Sequence, residues 1–362
     1  MTKNNKIIVG ISGGVDSSVA AMLLKENGYD VEGIFMKNWN DHAENGRCLW
    51  EDDVQDAMLV CDKLKIPMNT IDLSENYWEK VFKKFLREYK NGRTPNPDVL
   101  CNREIKFKAF LEHAQNLGAE KIATGHYACL KKNNNKSQLL KSNDSNKDQS
   151  YFLCHLNQNQ LNNALFPIGE LCKTDVRKIA KKNGLINHAK KDSTGICFIG
   201  EQPFRSFLSK FIKPESGLIR TVSGKTIGEH DGIFFYTLGQ RQGLGIGGIK
   251  NATDAPWYVV KKEIKKNELI VAQDHDHPFL HHKNLTVIEV NWISGEMPSL
   301  PFKCKAKCRY RQTDQNCTIE KNEKNRLFVS FDSTQRAITP GQFIVFYEKN
   351  VCLGGGIIDT LN

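Results

Sequence analysis

The chain has 362 residues, of which 40% are hydrophobic, and a formal net charge of +10. This length predicts two or three domains of about 100–200 residues each. No run of ~18 apolar residues occurs, so we expect no membrane-spanning helix. The positive charge favours an anionic partner such as nucleic acid, although a Lys/Asn-rich composition would also produce it.

The start of the chain and its cysteines indicate a cytoplasmic protein. The first residues, MTKNNKIIVG, lead into an apolar strand without the features of a signal or transit peptide. Eleven cysteines are an odd number, which argues against a disulfide framework in a chain of this length. No C-x-x-C pair occurs, which argues against a zinc ribbon or a thioredoxin-type site. We therefore expect mostly reduced thiols, and we assign no metal ligands among the cysteines.

Strand and helix patterns alternate over the first ~125 residues. Strands are predicted at 6–12, 31–37, 67–73 and 119–128, and helices at 15–29, 51–65, 75–92 and 96–118. This alternation predicts an α/β domain with a doubly wound parallel sheet. Ligands bind at the carboxyl ends of the strands in such sheets.

The pattern changes after residue ~150. The polar stretch at 130–149 predicts an exposed hairpin or loop, and mixed helix follows to about 215. Short alternating strands are then predicted at 256–262, 268–273, 284–293, 326–332 and 342–348. They indicate a small central β domain and a C-terminal β-barrel. We place the domains at 1–200, 201–280 and 281–362.

A glycine-rich turn, SGGVDS, lies between the first strand and the first helix. Glycines let backbone N–H groups approach phosphate, and the N-terminus of the helix favours an anion. The turn is neither a Walker A motif nor G-x-G-x-x-G. Asp16 would repel phosphate there, and Mg²⁺ between them would resolve the conflict. A plain βα turn is the structural alternative.

Two cysteines are candidate reagents. Cys101 lies in NPDVLCNREIKF, where Asn96 predicts an N-cap, Pro97 the first helical position and Asp98 the first turn. A thiol near a helix N-terminus gains some thiolate stabilisation, yet Cys101 fits a core position equally well. Cys197, in KKDSTGICFIG, has apolar neighbours and leaves the same two possibilities open.

Together, the motifs resemble a known family. SGGVDS is similar to the PP-loop of ATP pyrophosphatases, which cleave ATP to AMP and pyrophosphate. The ordered series GISGGVDSS, RTPNPDVLCNREIKF, ATGHYA, NKDQSYFL, DSTGICFIG, YTLGQRQGLGIGG, CRYRQ, TPGQ and LGGGII resembles the tRNA-specific 2-thiouridylases over nearly the whole chain.

The resemblance implies a sulfurtransferase that converts the wobble uridine of Lys-, Glu- or Gln-type tRNAs to 2-thiouridine. ATP, with Mg²⁺, would adenylate O2 of the uracil. Cys197 would carry a persulfide delivered by a cysteine desulfurase or sulfur-relay protein, and Cys101 would act as nucleophile. Cys101 would either free the terminal sulfur as hydrosulfide or end in a disulfide with Cys197 that a reductant must reopen. Thiolate sulfur suits this exchange chemistry. The C2 carbonyl of uracil is urea-like and therefore a poor electrophile, and adenylation of O2 would give it a good leaving group.

The resemblance also assigns binding residues. The ATP site would comprise Gly10, Ile11, Ser12, Gly13, Gly14, Val15, Asp16, Ser17, Met36 and Gly125. The target base would meet Asn96, Pro97 and Asp98, the last with a catalytic role. Contacts to tRNA would come from His126, Lys147, Asp148, Gln149, Arg309, Tyr310 and Gln342. A different PP-loop enzyme acting on a small molecule, and a non-enzymatic RNA-binding protein, are the rival functions.

Three further stretches carry predictions. FKCKAKCRYR, at 302–311, predicts a strand with a basic face for phosphate and an inward face holding Cys304 and Cys308. HDHPFLHH predicts a surface loop rather than a metal site. The resemblance suggests that GQRQGLGIGG is a mobile loop near the active site.

Overall fold

The computed structural model describes residues 5–40, 50–192, 203–246 and 255–361. The α-helices are α1 (Val15–Glu26), α2 (Glu51–Leu64), α3 (Ser74–Tyr77), α4 (Lys83–Lys90), α5 (Pro97–Cys101), α6 (Phe110–Asn116), α7 (Gln158–Asn162), α8 (Lys173–Lys182) and α9 (Phe204–Ser209). Two wider π-type segments, Trp78–Phe82 and Asn102–Ala109, join α3 to α4 and α5 to α6. Short 3-10 turns lie at Ser150–Leu153, Ile233–Phe235, Ile264–Lys266 and Pro278–Leu280.

The strands run from the N-terminal region to the last described residue. They are β1 (Lys6–Gly10), β2 (Asp30–Lys37), β3 (Met68–Asp72), β4 (Lys121–Ala123), β5 (Ala128–Asn133), β6 (Lys136–Lys141), β7 (Ala164–Leu165), β8 (Gly217–Thr221), β9 (Thr226–His230), β10 (Trp257–Glu263), β11 (Glu268–Gln273), β12 (His281–Trp292), β13 (Phe302–Lys307), β14 (Gln315–Glu323), β15 (Arg326–Arg336), β16 (Phe343–Glu348) and β17 (Val351–Leu361).

The predicted doubly wound sheet is confirmed. Its strands are parallel, in the order β3-β2-β1-β4-β7. On one face Ile8 packs with the helical segments from α3 to α6, and on the other Ile7 and Val9 pack with α1 and α2. Helices therefore cover both faces, which explains why β1 is a continuous apolar run rather than an alternating one.

The strand predicted at 119–128 is shorter in the structure. Only Lys121–Ala123 pairs in the sheet, and Thr124–His126 turns away at the carboxyl end of β4. The order of the strands reverses between β1 and β4, because β2 and β3 follow on one side and β4 and β7 on the other. Such a reversal opens a crevice at the carboxyl edge of the sheet.

The predicted hairpin at 130–149 is confirmed as β5 and β6. Asn134 and Asn135 both have positive φ, at 46° and 63°, as a tight two-residue hairpin turn requires. The hairpin also extends the C-terminal sheet, since Leu140 pairs with Val351 and Leu139 is fully buried. The hairpin lies within the first predicted domain, yet it pairs with a strand of the last one. The predicted boundary at residue 200 stays a prediction.

The central domain is a small sheet in the order β10-β11-β8-β9. Its middle pair, β11 and β8, is parallel, whereas the outer pairs are antiparallel. Buried side chains from three of these strands, Ile219, Val259 and Leu269, belong to the large cluster that includes the N-terminal core. The central domain is thus packed against the α/β domain.

The predicted C-terminal barrel is confirmed. Strands β12, β15, β14, β13, β16 and β17 pair in that order, and β12 pairs with β17 to close the ring. Phe331, Ile344, Phe346 and Ile358 fill its interior.

The prediction that strand 302–311 continues to Arg311 is wrong, because β13 ends at Lys307. Cys308 is buried as predicted, but its N–H donates to Gln312 Oε1 at 2.7 Å, which closes a turn instead.

Candidate active site

The glycine-rich loop joins β1 to α1 at the carboxyl edge of the sheet. Gly13 has φ +73°, and a Cβ there would lie 2.3 Å from the carbonyl oxygen of Asp53. Gly14 has φ −85°, and a Cβ would meet only Ser12 Oγ, at 3.5 Å. The backbone therefore requires glycine at 13 but not at 14. At Gly14 the missing side chain leaves space that a ligand can use.

Hydroxyl groups hold the loop in shape. The Ser17 hydroxyl donates to Gly14 O at 3.1 Å and accepts from Ser12 N at 3.2 Å. Asn187, 4% exposed, donates from Nδ2 to Gly13 O and Ser18 Oγ, both at 2.9 Å. Gly14 is the N-cap of α1 and has no side chain to cap it, so the first-turn N–H groups are left for an anion.

Asp16 has a counter-ion that the sequence did not reveal. Lys173 Nζ at the start of α8 donates to both carboxylate oxygens of Asp16, at 2.7 and 2.8 Å. Tyr127 also donates its hydroxyl to Asp16, at 2.8 Å. Burial is the main cause of a raised pKa at Tyr127, and the negative charge of Asp16 raises it further. The phenol therefore stays protonated as a donor. Lys173 is thus a protein cation that offsets the charge of Asp16 at the loop, while the predicted Mg²⁺ stays a prediction.

Lys173 also reaches Asp192, at 2.7 Å, and so bridges two carboxylates. Asp192 receives further hydrogen bonds from Lys147 and from Arg177 Nη2, the latter at 2.8 Å. Burial alone would raise the pKa of Asp192, but the bonds from Lys147 and Lys173 outweigh it and lower the pKa to about 2. The loop, α8 and residue 192 thus form one charge network.

Met36 and Gly125 lie at the same edge as the loop, at or just beyond the carboxyl ends of β2 and β4. A Cβ on Gly10 would be 3.0 Å from Met36 Cε. A Cβ on Gly125 would be 2.6 Å from Ser17 N, so Gly125 lets the chain pass directly over the start of α1. The structure therefore brings the predicted ATP residues together, while their contacts with ATP remain a prediction.

The predicted helix start at Asn96 is confirmed. Asn96 Oδ1 accepts the N–H of Asp98 at 3.1 Å, and Pro97 occupies the first turn. Cys101 ends α5 and is fully buried. The same helical run continues to Phe107, whose ring centroid is 5.7 Å from that of His126. After α6 the chain reaches the amino end of β1, where Lys6 Nζ donates to Leu117 O at 3.1 Å. The start of the run, with Cys101, therefore lies on the opposite side, that of the carboxyl edge of the sheet.

Cys197 lies outside the described residues, so its distance from Cys101 is untested. Asp192, the last described residue before it, is five residues away in the sequence. The charge network holds Asp192 beside the glycine-rich loop, through the Lys173 ammonium group that also contacts Asp16.

The residues predicted to contact tRNA near position 147 have internal partners. Asp148 is 5% exposed and accepts from Ser142 N at 3.1 Å and from the Ser150 hydroxyl at 3.0 Å. Gln149 Oε1 accepts the N–H of Tyr127 at 2.9 Å. These two side chains hold the loop in place, and Lys147 binds Asp192.

His126, Arg309 and Tyr310 are also engaged within the protein. His126 is buried, and burial lowers its pKa well below the usual value, so the ring is neutral. The guanidinium of Arg309 donates to Ala337 O. Tyr310 packs its ring 4.4 Å from that of Phe152 and donates to Lys147 O at 3.3 Å. Any contacts with tRNA would come from the remaining exposed atoms of these residues.

The basic face predicted on β13 is partly neutralised. Lys307 lies 3.8 Å from Asp148 and 3.9 Å from Asp314, so it forms internal ion pairs. In the histidine-rich stretch, His275 and His281 face Asp276, at 2.9 and 3.5 Å. Among the described residues, no group of three or more His, Cys, Asp or Glu side chains could hold a metal ion. Only residues 239–246 of the glycine-rich stretch GQRQGLGIGG are described.

Sequence reasoning missed Lys173, Asn187 and Tyr127. Lys173 is 157 residues from Asp16, and Asn187 is 174 residues from Gly13. No local pattern marks residues that meet a motif only after folding. Asp192 carried a weak signal, because it begins the DSTGICFIG motif.

Family models cover most of the chain. Residues 5–201 match a model described as the tRNA methyl transferase HUP domain, residues 205–273 its PRC-barrel domain, and residues 282–358 an aminomethyltransferase beta-barrel domain. A protein named tRNA-specific 2-thiouridylase MnmA from Legionella pneumophila (strain Paris) is 56% identical over 98% of this chain and 99% of its own.

The chain belongs to the tRNA-specific 2-thiouridylase family. Members from Coxiella burnetii (strain RSA 493 / Nine Mile phase I) and Francisella tularensis subsp. novicida (strain U112) are 56% and 55% identical, each over 99% of its own length and 99% and 98% of this chain. The family resemblance seen in the motifs is thus confirmed.

Two solved structures are more distant from the thiouridylase chain. The U34-tRNA thiolase NcsA from Methanococcus maripaludis gives a TM-score of 0.35 at 18% identity, covering 58% of this chain and 65% of its own. A 4-thiouridine synthetase bound to RNA and ATP gives 0.35 at 14% identity, covering 57% and 50%. At these TM-scores neither structure bears on the assignment.

Proposed function

We propose that the chain is a tRNA 2-thiouridylase that replaces O2 of the wobble uridine with sulfur, using ATP and a cysteine persulfide. The observation that carries the proposal is the glycine-rich loop at the switch point of the sheet, in a chain that belongs to the 2-thiouridylase family. The α5 run supports it, because the helix that carries Asp98 and Cys101 begins on the side of the carboxyl edge and ends beside the amino end of β1.

The loop supports ATP activation of the uracil. First-turn N–H groups of α1 and the space at Gly14 suit the pyrophosphate portion of ATP. Asp16 is the carboxylate that would hold Mg²⁺, whose charge would offset that of the phosphates. Lys173 already contacts both of its oxygens, so this cation supplies positive charge beside the phosphates from the protein itself.

Sulfur transfer is proposed to use both cysteines. The Cys101 thiolate attacks the inner sulfur of the Cys197 persulfide, which forms a Cys101–Cys197 disulfide and releases HS⁻. HS⁻ adds to C2 of the adenylated uracil, and AMP leaves with the oxygen. A thiol reductant then supplies two electrons to reopen the disulfide. Asp98, in the first turn of the same helix, would handle a proton of the uracil.

The partners follow from this chemistry. The substrate is tRNA, whose anticodon loop can present an unstacked base. The persulfide sulfur comes from a cysteine desulfurase or a sulfur-relay protein, and a reducing cytoplasm would keep the cysteines as thiols. No helix in the described part of the chain is long and apolar enough to cross a membrane.

Mass spectrometry of nucleosides tests the proposal. Unmodified tRNA is incubated with ATP, a persulfide donor and the wild-type, Cys101→Ala or Cys197→Ala chain. Cys61→Ala is the matched control, because Cys61 is a buried thiol of α2 that faces the core of the α/β domain. We expect 2-thiouridine with the wild type and the control, and none with either active-site variant.

Two results would contradict the proposal. Undiminished 2-thiouridine from Cys101→Ala would remove its role as nucleophile. Formation of ADP in place of AMP and pyrophosphate would exclude adenylation and favour another kind of ATP chemistry. Free sulfide should partly bypass Cys197→Ala, because it supplies the sulfur directly.

A further inference from the structure

The segment that precedes Asn96 is held by all three parts of the molecule. Residues 92–95 connect α4 to α5, and we call them the joint. From the central domain, Lys262 Nζ donates to Gly92 O at 3.1 Å, and Ile264 packs so closely that a Cβ on Gly92 would lie 2.1 Å from its Cδ1. The joint therefore has a fixed neighbour on that side.

The barrel holds the joint from the other side through the turn at residues 340–342, here called the barrel turn. Thr94 N donates to Pro340 O at 3.0 Å. Gln342 Nε2 donates to Thr94 O at 3.0 Å and lies 3.5 Å from Pro95 O. Gly341, with φ +95°, comes so near that a Cβ would be 2.9 Å from Thr94 N. The barrel turn thus forms hydrogen bonds with both the N–H and the carbonyl oxygen of Thr94.

Arg93 anchors the joint a second time. Its Nη1 donates to Asp359 Oδ1 at 2.9 Å and its Nη2 to Ile358 O at 2.8 Å, both on β17. Its Nε lies 2.8 Å from Glu88 on α4, so one guanidinium ties the helix before the joint to the barrel. The fork geometry of Arg makes this a directional contact, which a lysine could not reproduce.

We propose that the barrel turn and Arg93 are positioning elements that fix Asn96, Pro97 and Asp98 for sulfur transfer, with Gln342 acting through the joint. Only one residue separates Thr94 from Asn96, and Asn96 caps the helix that carries Asp98 and Cys101. A shift of the joint therefore moves the start of that helix. The barrel is then part of the catalytic geometry as well as a surface for tRNA.

Steady-state kinetics and binding test this role, which rests on the thiolation activity proposed above. For Gln342→Ala and Arg93→Lys, we expect the maximal thiolation rate at saturating tRNA to fall about 3- to 10-fold, as the loss of one or two hydrogen bonds predicts. The Kd for tRNA should change less than about twofold. Arg326→Lys is the matched control, because Arg326 lies 3.4 Å from the same Asp359 without touching the joint.

A direct contact of Gln342 with tRNA would give the opposite pattern. The Kd for tRNA would then rise for Gln342→Ala, while its thiolation rate at saturating tRNA would match the wild type. Arg93→Lys would change neither quantity, and this result would overturn the proposal.

Hydrogen exchange of peptides covering residues 92–98 gives a readout that does not depend on thiolation. We expect about 3- to 10-fold faster exchange in both variants and no change in Arg326→Lys. Unchanged exchange in folded Gln342→Ala and Arg93→Lys would refute the positioning role. A wild-type chain that makes no 2-thiouridine would refute the proposed function alone, since the exchange result would still decide the positioning.

Discussion

Replacing Lys173 with Met tests the charge network at the glycine-rich loop. The substitution keeps most of the length of the side chain but removes the cation between Asp16 and Asp192, whose side chains are each 31% exposed. Asp192 keeps Lys147 and Arg177, whereas Asp16 keeps only the Tyr127 hydroxyl among the partners described above. The loss therefore falls mainly on Asp16.

The magnitude follows from electrostatics. A phosphate charge ~5 Å from an uncompensated Asp16 would be repelled by about 3 kcal/mol at an effective dielectric of ~20. Partial exposure and salt reduce this value, so we expect ATP to bind about 10- to 100-fold more weakly to Lys173→Met. Asp16→Asn in the Lys173→Met background should restore part of the affinity, because it removes the repulsion.

Equilibrium binding of ATP, with thermal unfolding as a check on folding, is the measurement. Lys178→Met is the matched control on α8, since Lys178 forms a 3.1 Å pair with Asp175 while 78% exposed. Its ATP affinity should stay within about twofold of the wild type, because exposed pairs contribute little. Wild-type ATP affinity in a folded Lys173→Met chain would refute the role of Lys173.

Three further predictions concern the same fold. Gly14→Ala should fold normally but lose ATP binding, because its Cβ would occupy only the space left for the ligand. Gly13→Ala should lower the unfolding temperature, because its Cβ would clash with Asp53 O. A large drop in the unfolding temperature of Gly14→Ala would contradict the structure. Burial, and next the positive charge of Arg103, lower the pKa of His155 to about 3. The unfolded state therefore binds a proton that the folded state does not, and the free energy of unfolding should fall as the pH drops from ~6.5 towards 3. His155→Asn should flatten this loss in acid denaturation. The Asp192 pKa is depressed, so the stability advantage over Asp192→Asn should persist above pH ~4 and vanish as pH falls towards 2; a pH-independent difference would count against the network.

Local patterns determined the elements of this protein. The apolar run of β1 and the Asn-Pro-Asp start of α5 depend on residues within one turn or strand, and the structure confirms them. The parallel sheet followed from the alternation of strands and helices, whereas its strand order came from the structure. The series of motifs identified the family because it extends along nearly the whole chain.

Only the tertiary structure decided which side chains meet. Lys173 neutralises Asp16 and Gln342 holds Thr94 across 157 and 248 residues, and no periodicity encodes such contacts. The same holds for Lys307, which looked like a free cation on β13 and forms ion pairs with Asp148 and Asp314 instead. Sequence patterns report the repeat of a helix or strand, whereas the partner of a buried charge depends on the packing of distant elements.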